Sequence, residues 1–228
     1  MLNKTKGIVI QYMKYRESSL LVTIYTAEFG ISSYVENGVR SAKAKHKIAL
    51  FQPLTLLDLE VYHKPGKGLH RISEAKCYYP YRKIPFDIAS SSIALFLTEV
   101  LSKVLREEEA NPVLFSFLEE SFQILDQGQG HLENFHLQFL WRLSEFLGFH
   151  AGQVGEFLEQ LREAGVPGMG DLDAITVQTL FNADYGDGVG VNRVQRAAIL
   201  RALIYYYGLH MESFGELRSL QVLQEVLS

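Results

Sequence analysis

Gly7-Ile8-Val9-Ile10-Gln11-Tyr12 and Ser19-Leu20-Leu21-Val22-Thr23-Ile24-Tyr25-Thr26 decide the fold class of this 228-residue chain. Both stretches are rich in β-branched and aromatic residues, and a short polar segment from Lys14 to Ser18 separates them, so they read as two strands. Gly30 then opens Ile31-Ser32-Ser33-Tyr34-Val35-Glu36, whose alternation suits a half-buried third strand. After a polar loop comes a long run from Leu50 to Tyr62, with Pro53 near its start, where a strand tolerates proline. Lys64-Pro65-Gly66-Lys67-Gly68 is a turn signal, leading into a fifth strand over Leu69 to Ala75. Five short strands in about eighty residues are too few for a sandwich and fit a small barrel. The oligonucleotide-binding barrel (OB-fold) has this strand count; an SH3-like barrel has it too.

Beyond residue 82 the periodicity turns helical. Ile93, Phe96, Leu97, Val100, Leu101 and Val104 form an i, i+3, i+4 stripe over Ile88 to Leu105. Asn111-Pro112 starts a second helix through Leu125, and Leu132 to Leu147 is a third, after Gly128 and Gly130. Residues 165–190 are glycine-rich without clear period and read mostly as loop. Val194 to Tyr207 and Phe214 to Leu227 give two last helices, so roughly five in all. The expected architecture is a multidomain α+β chain: a five-stranded OB-fold barrel over 1–80, then an all-helical domain over 81–228 with a loop-rich, metal-free insertion near 150–190.

The formal charge of −4 is unevenly spread. Residues 1–82 hold thirteen Lys and Arg against six Asp and Glu, a net +7, while 83–228 hold nine against twenty, a net −11. This asymmetry points to a polyanion partner for the basic part. Its densest segment is Gly38-Val39-Arg40-Ser41-Ala42-Lys43-Ala44-Lys45-His46-Lys47, where Arg40, Lys43, Lys45 and Lys47 supply charges that neutralise phosphates without sequence preference. Lys14, Arg16, Lys64, Lys67 and Arg71 fall at strand ends and turns able to border the same surface. Tyr12, Tyr15, Tyr25 and Tyr34 are candidate platforms for unstacked bases, each with a place in the barrel core or on its ordinary surface as the rival assignment.

Other chemistry finds little support. The single cysteine, Cys77, rules out an internal disulfide and any multi-thiolate zinc site. Gly186-Asp187-Gly188-Val189-Gly190 lacks the lysine and the strand-to-helix setting of a phosphate loop. The seven histidines show no zinc-like spacing, and Glu107-Glu108-Glu109 reads as a solvated helix end. No apolar run approaches the roughly 18 residues of a spanning helix. The expectations are therefore no enzyme, no cofactor, no metal, no membrane, and a cytoplasmic location.

Gly7-Ile8-Val9-Ile10, Tyr15-Arg16-Glu17-Ser18-Ser19-Leu20-Leu21 and Tyr25-Thr26-Ala27-Glu28-Phe29-Gly30 together resemble the opening of the RecO family of bacterial DNA repair proteins. The resemblance continues through Asn37 to Lys43 and Leu50-Phe51-Gln52-Pro53-Leu54. It returns at Tyr205-Tyr206-Tyr207 with His210 and at Ser219 to Leu227, while the middle matches only in helical character. It implies a recombination mediator that binds single- and double-stranded DNA and anneals complementary strands. With RecR, such a protein loads the RecA recombinase onto DNA covered by single-stranded DNA-binding protein. Arg40, Lys43 and Lys45 match the family's basic loop.

One departure is plain. Several family members carry a four-cysteine zinc module in the helical domain, which this chain cannot build; packing of Leu158, Leu161 and Leu172 is the expected substitute. The resemblance also implies that the helical domain docks the acidic, hydrophobic tail of single-stranded DNA-binding protein. Arg193, Arg196 and Arg201 are the available cluster, with Arg142 and Arg162 less constrained, and pairing with the domain's own carboxylates is the competing assignment. An adaptor whose barrel binds protein and not DNA remains the alternative function.

Overall fold

The computed structural model describes residues 2–39, 42–64, 66–168, 172–212 and 214–227, with 42–46 described by their backbone only. By internal contacts the chain forms two compact units, Met1–Arg82 with Leu101–Gln123, and Lys83–Val100 with Ile124–Ser228.

The first unit is built on five strands, β1 (Leu2–Tyr15), β2 (Ser19–Thr26), β3 (Gly30–Glu36), β4 (Leu56–Tyr62) and β5 (His70–Tyr79). They close in the order β1-β2-β3-β5-β4, with β3 and β5 parallel and the other neighbours antiparallel. This is the OB-fold arrangement, a five-stranded Greek-key barrel. Closure depends on β1, whose first half pairs with β4 (Leu2↔Tyr62 to Ile8↔Leu56) and whose second half pairs with β2 (Gly7↔Thr26 to Tyr15↔Ser19). At the crossover a Cβ on Gly7 would lie 2.6 Å from Ile24 Cγ2 and 2.7 Å from Leu59 Cδ1. Glycine leaves the room that these two core side chains occupy. The register then slips between Val9 and Gln11, a bulge that adds twist at the corner. Val9, Leu20, Val22, Ile24, Tyr34, Leu57, Leu59, Val61 and Ile72 fill the interior.

The expected strand from Leu50 to Tyr62 is two elements. Residues Ala42–Phe51 form a 3-10 segment, and β4 begins only at Leu56. Pro53 has no N–H to give a ladder, and Leu54 adopts a left-handed φ of 66° while its N–H donates to the Val9 carbonyl at 2.7 Å. The apolar run arises because Phe51 joins the barrel core, with Ile48 and Leu50 packed beside it, and not from strand alternation.

A cut at residue 80 also leaves out part of this unit. The end of α1 (Ile88–Val104) and most of α2 (Pro112–Gln127) pack with the strands. Phe115 stacks on Tyr25, and the Glu119 carboxylate accepts from Lys6 Nζ at 2.9 Å and from the Tyr78 hydroxyl at 2.5 Å. Ile31 N–H donates to the Glu107 carbonyl at 3.0 Å. Beside it Gly30 has φ of 61°, and a Cβ there would sit 2.3 Å from that oxygen.

The second unit contains α3 (Phe135–Phe146), α4 (Val154–Glu163), α5 (Ala174–Asn182), α6 (Arg193–His210) and α7 (Ser219–Val226). The described residues thus hold seven α-helices where the periodicity implied about five. The additional two, α4 and α5, lie within 150–190. Asp173 caps α5 by accepting from Ile175 N–H and Thr176 N–H, an N-cap in a stretch read as loop. Phe157 and Phe181 hold the two helices against Trp141, with ring centroids 5.4 and 4.3 Å from it. Leu158 and Leu161 are buried as expected, but Leu172 is only half-buried; aromatic rings supply most of this packing.

Candidate nucleic-acid interface

Strand register places one outward-facing row around the barrel: Met13 opposite Leu21, Leu21 opposite Val35, Val35 opposite Arg71, and Arg71 opposite Tyr62. The row is apolar except for the exposed guanidinium of Arg71. Its β3–β5–β4 end is a groove of about 310 Å³ lined by Val35, Asn37, Tyr62, Lys64, Lys67, Leu69, His70 and Arg71. Tyr62 and Leu69 are 48% and 43% exposed, so both present apolar surface in the groove. A flat ring beside three cations has the components of a single-strand site: backbone neutralisation and a stacking surface. Lys64, Lys67 and Arg71 are therefore brought together as the sequence implied.

Two further links tie other candidates to this end of the barrel. The Ser19 hydroxyl, at the start of β2, donates to Asn37 Oδ1 at 2.9 Å. The β1–β2 turn, with exposed Arg16 at φ of 51° and its guanidinium 5.2 Å from the Tyr15 ring, thus abuts Asn37, where the basic segment begins. Arg40 lies outside the described residues, as do the side chains of Lys43 and Lys45. Lys47 is described and is engaged: its Nζ is 3.8 Å from the Glu36 carboxylate at the end of β3. Burial pushes the Glu36 carboxyl up from its ordinary pKa, and the nearby charges of Lys47 and Arg71 pull it back. Lys47 thus stays largely exposed, with one longer contact to the barrel.

The outward face of β1, β4 and β5 that continues from Tyr62 is locally neutral. Lys4 pairs with Glu60 at 3.3 Å, Lys76 with Glu74 at 2.9 Å, and Lys6 with Glu119. The excess charge of the strands is thereby concentrated at the Arg16, Asn37 and Lys64–Arg71 end. Of the tyrosine candidates, Tyr25 and Tyr34 take the core assignment, 2% and 0% exposed, with hydroxyl pKa values pushed up to about 12, chiefly by burial. Tyr12 accepts from Gln52 Nε2 at 3.3 Å at the barrel surface. The exposed ring in the groove is Tyr62, which the sequence reading missed. Its signal was an outward position on β4 two residues before Lys64.

The second unit has its own cavity, about 260 Å³, lined by His136 of α3, by Arg193, Arg196, Ala197, Leu200 and Arg201 of α6, and by Leu223, Gln224 and Leu227. The α6 residues are spaced i, i+3, i+4, i+7, i+8, one helical face. Asn192 starts α6 with a reciprocal capping box to Gln195. Arg196 is fixed by Asn134 Oδ1 at 3.1 Å and the Val191 carbonyl at 3.2 Å, whereas Arg193 and Arg201 are exposed and form no ion pair among the described residues. α7 is set by Glu99, whose carboxylate accepts from Arg218 N–H at 2.9 Å and Ser219 N–H at 2.8 Å. Arg142 belongs elsewhere, bonded to the Ala183 carbonyl and 4.4 Å from the Tyr185 ring.

Comparison with known proteins places this geometry. The family model "Recombination protein O N terminal" matches residues 1–81, and "Recombination protein O C terminal" matches 85–151. The DNA repair protein RecO of Phocaeicola vulgatus is 39% identical over 241 residues, covering 100% of both chains. Those of Bacteroides fragilis and Flavobacterium psychrophilum are 38% and 35% identical, each over 99% of both chains. The chain belongs to the RecO family. Its role is accordingly in DNA repair and recombination, and RecO is a family of recombination mediators.

This RecO chain does not fit the zinc module of other members, since its one cysteine, Cys77, lies on β5. Among the described residues no group of three or more His, Cys, Asp or Glu is placed to hold a metal ion, and no helix is long and apolar enough to cross a membrane.

Proposed function

We propose that this RecO chain is a non-enzymatic, cytoplasmic mediator that binds DNA through the Tyr62–Arg71 groove and anneals complementary strands. The observation that carries the reading is the convergence of Lys64, Lys67 and Arg71 on one groove with an exposed ring, together with Asn37, the residue before the basic segment begins. Lysine and arginine neutralise phosphates and release counterions. The cations lower the repulsion between two approaching backbones, while stacking on Tyr62 leaves base edges open for pairing. No bond is made or broken; the work is exchange of binding partners.

The α6–α7 cavity supports a second contact, to the acidic, hydrophobic tail of single-stranded DNA-binding protein. Leu200, Leu223 and Leu227 receive apolar side chains, and Arg193 and Arg201 meet the carboxylates. In concert with RecR, the protein then loads RecA onto DNA that single-stranded DNA-binding protein has covered.

The test is binding of labelled single- and double-stranded oligonucleotides, and annealing, across a salt series. Replacing Lys64, Lys67 and Arg71 by glutamine removes three phosphate contacts and lowers the slope of log K against log salt for single strands by about 2. Affinity at moderate salt falls roughly tenfold or more. Replacing Arg40, Lys43 and Lys45 lowers it further. A flat salt response in the unmodified protein, or unchanged binding in both triple variants, would establish the adaptor alternative instead.

A further inference from the structure

The β4–β5 loop that carries Lys64 and Lys67 is closed at its base by histidines. His63 follows β4, His70 opens β5, and their rings stack at 3.8 Å between centroids with planes 16° apart. Phe29, from the β2–β3 turn, covers the other face of His63 at 4.0 Å and 10°, and Tyr34 tilts against His70 at 5.6 Å. Across the loop the Lys64 backbone N–H donates to His70 Nδ1 at 3.3 Å. Nδ1 can accept only while unprotonated. His63 Nδ1 is itself buried without a hydrogen-bond partner.

We propose that His63 and His70 are positioning residues for the nucleic-acid groove: their stacked neutral rings join the two ends of the β4–β5 loop, hold Lys64 and Lys67 beside Arg71, and release them when the pair is protonated. The inference rests on the groove reading above. Protonation would put two like charges within 4 Å and set an Nδ1–H against the Lys64 N–H, two donors face to face. The groups around the pair are Asn3 of β1, Glu28 beside Phe29, Glu108 and Glu109 of the 101–123 segment, and Lys67 of the loop itself. Glu108 favours the charged rings. Burial opposes them in both histidines, and in His63 the neighbouring His70 adds to it, so both pKa values lie below the ordinary histidine range. The rings are therefore neutral at pH 7.5 and charge only on the acid side.

The sign is distinctive. A DNA-binding surface ordinarily binds more tightly as acid adds positive charge, whereas this pair makes the groove weaken. The full chain is tested from pH 7.5 to 5.0 by hydrogen exchange at the Lys64 amide, corrected for intrinsic chemistry, and by binding of a labelled oligo-dT at fixed salt. Unmodified protein is expected to lose protection at Lys64 at least tenfold and to lose affinity several-fold over that range. His63→Phe combined with His70→Asn keeps a ring at 63 and a carbonyl acceptor at 70 for the Lys64 N–H, with no titrating group, so it should retain both the neutral-pH affinity and most of the protection at pH 5.0. His63→Ala removes the stack and should show the opened loop already at pH 7.5. Parallel pH responses in the unmodified protein and this double variant would overturn the proposal. If the loop opens with acid but oligo-dT affinity does not follow, the histidines order the loop and the DNA assignment of the groove falls.

Discussion

His136 makes the acid stability of the helical unit calculable. Its ring is 1% exposed, set edge-on to Phe96 at 6.3 Å, and its Nδ1 has no hydrogen-bond partner. Burial, and after it the charge of Arg196, hold its pKa down at about 3. In the unfolded chain a histidine titrates near 6.5. Between these values only the unfolded state takes up the proton, so stability is complete above about pH 6.5 and declines as pH falls toward 3. At pH 5.0 the folded ring is still neutral, and the loss is about 2 kcal/mol relative to pH 7.5. The perturbation is His136→Phe, which keeps a ring against Phe96 and removes the titrating group. The assay is urea unfolding at several pH values, followed by fluorescence of Trp141, the chain's only tryptophan, which sits on the same helix and reports this unit. The variant should be flatter than the unmodified protein by about 2 kcal/mol between pH 7.5 and 5.0, whatever constant offset the substitution adds. Equal pH dependence in the two proteins would refute the assignment of a buried neutral ring.

Gly7→Ala should destabilise the barrel by about 1–3 kcal/mol, because the added Cβ meets Ile24 and Leu59 in the core; a lowered thermal midpoint measures it. Phe157→Ala should cost the helical unit about 3–5 kcal/mol in urea unfolding, since its ring contacts Trp141 and Phe181 in the core that joins α4 and α5 to α3. Glu99→Ala removes the carboxylate that accepts the first N–H groups of α7. That variant should weaken an acidic tail peptide by roughly tenfold in a titration, because Leu223 and Leu227 are no longer held at the cavity.

The barrel was legible because β2 and β3 alternate over a half-buried face and Gly66 marks the β4–β5 turn, so each local signal agreed with the tertiary one. The sequence misled where tertiary packing used an apolar residue for another purpose. Phe51 reads as strand because it is large and apolar, yet it joins the core from a 3-10 segment. α5 was hidden because its nine residues are short and its flanks are rich in glycine; its cap, Asp173, was the one local clue. The basic clusters could be named from charge density alone. Which of them meet was legible only in part: Lys64, Lys67 and Arg71 share the β4–β5 hairpin with Tyr62, whereas Asn37 joins them only through the parallel β3–β5 register. Likewise Arg196 looks equivalent to Arg193 and Arg201 in the sequence, and only its bonds to Asn134 and Val191 mark it as a fixed wall of the cavity.

The charge asymmetry bears differently on the two ligands. Assigning residues 101–123 to the barrel unit brings two basic and five acidic side chains with them, so the units carry about +4 and −8 where the sequence split gave +7 and −11. Net charge alone would then give the barrel a weak hold on DNA, and the ion pairs of Lys4, Lys6 and Lys76 explain why it need not be strong overall. They cancel charge where none is needed and leave the groove end cationic. A long polyanion extends beyond the roughly 8 Å over which charges act at physiological salt, so it meets the acidic remainder as well as any local arginine. A short acidic tail seated at Arg193 and Arg201 meets chiefly those two. Peptide binding should therefore tolerate salt better than oligonucleotide binding, with a log–log slope near 1–2 against a steeper one for DNA. Equal slopes, measured by the same titration at matched salts, would overturn the assignment of the peptide's carboxylates to Arg193 and Arg201 alone.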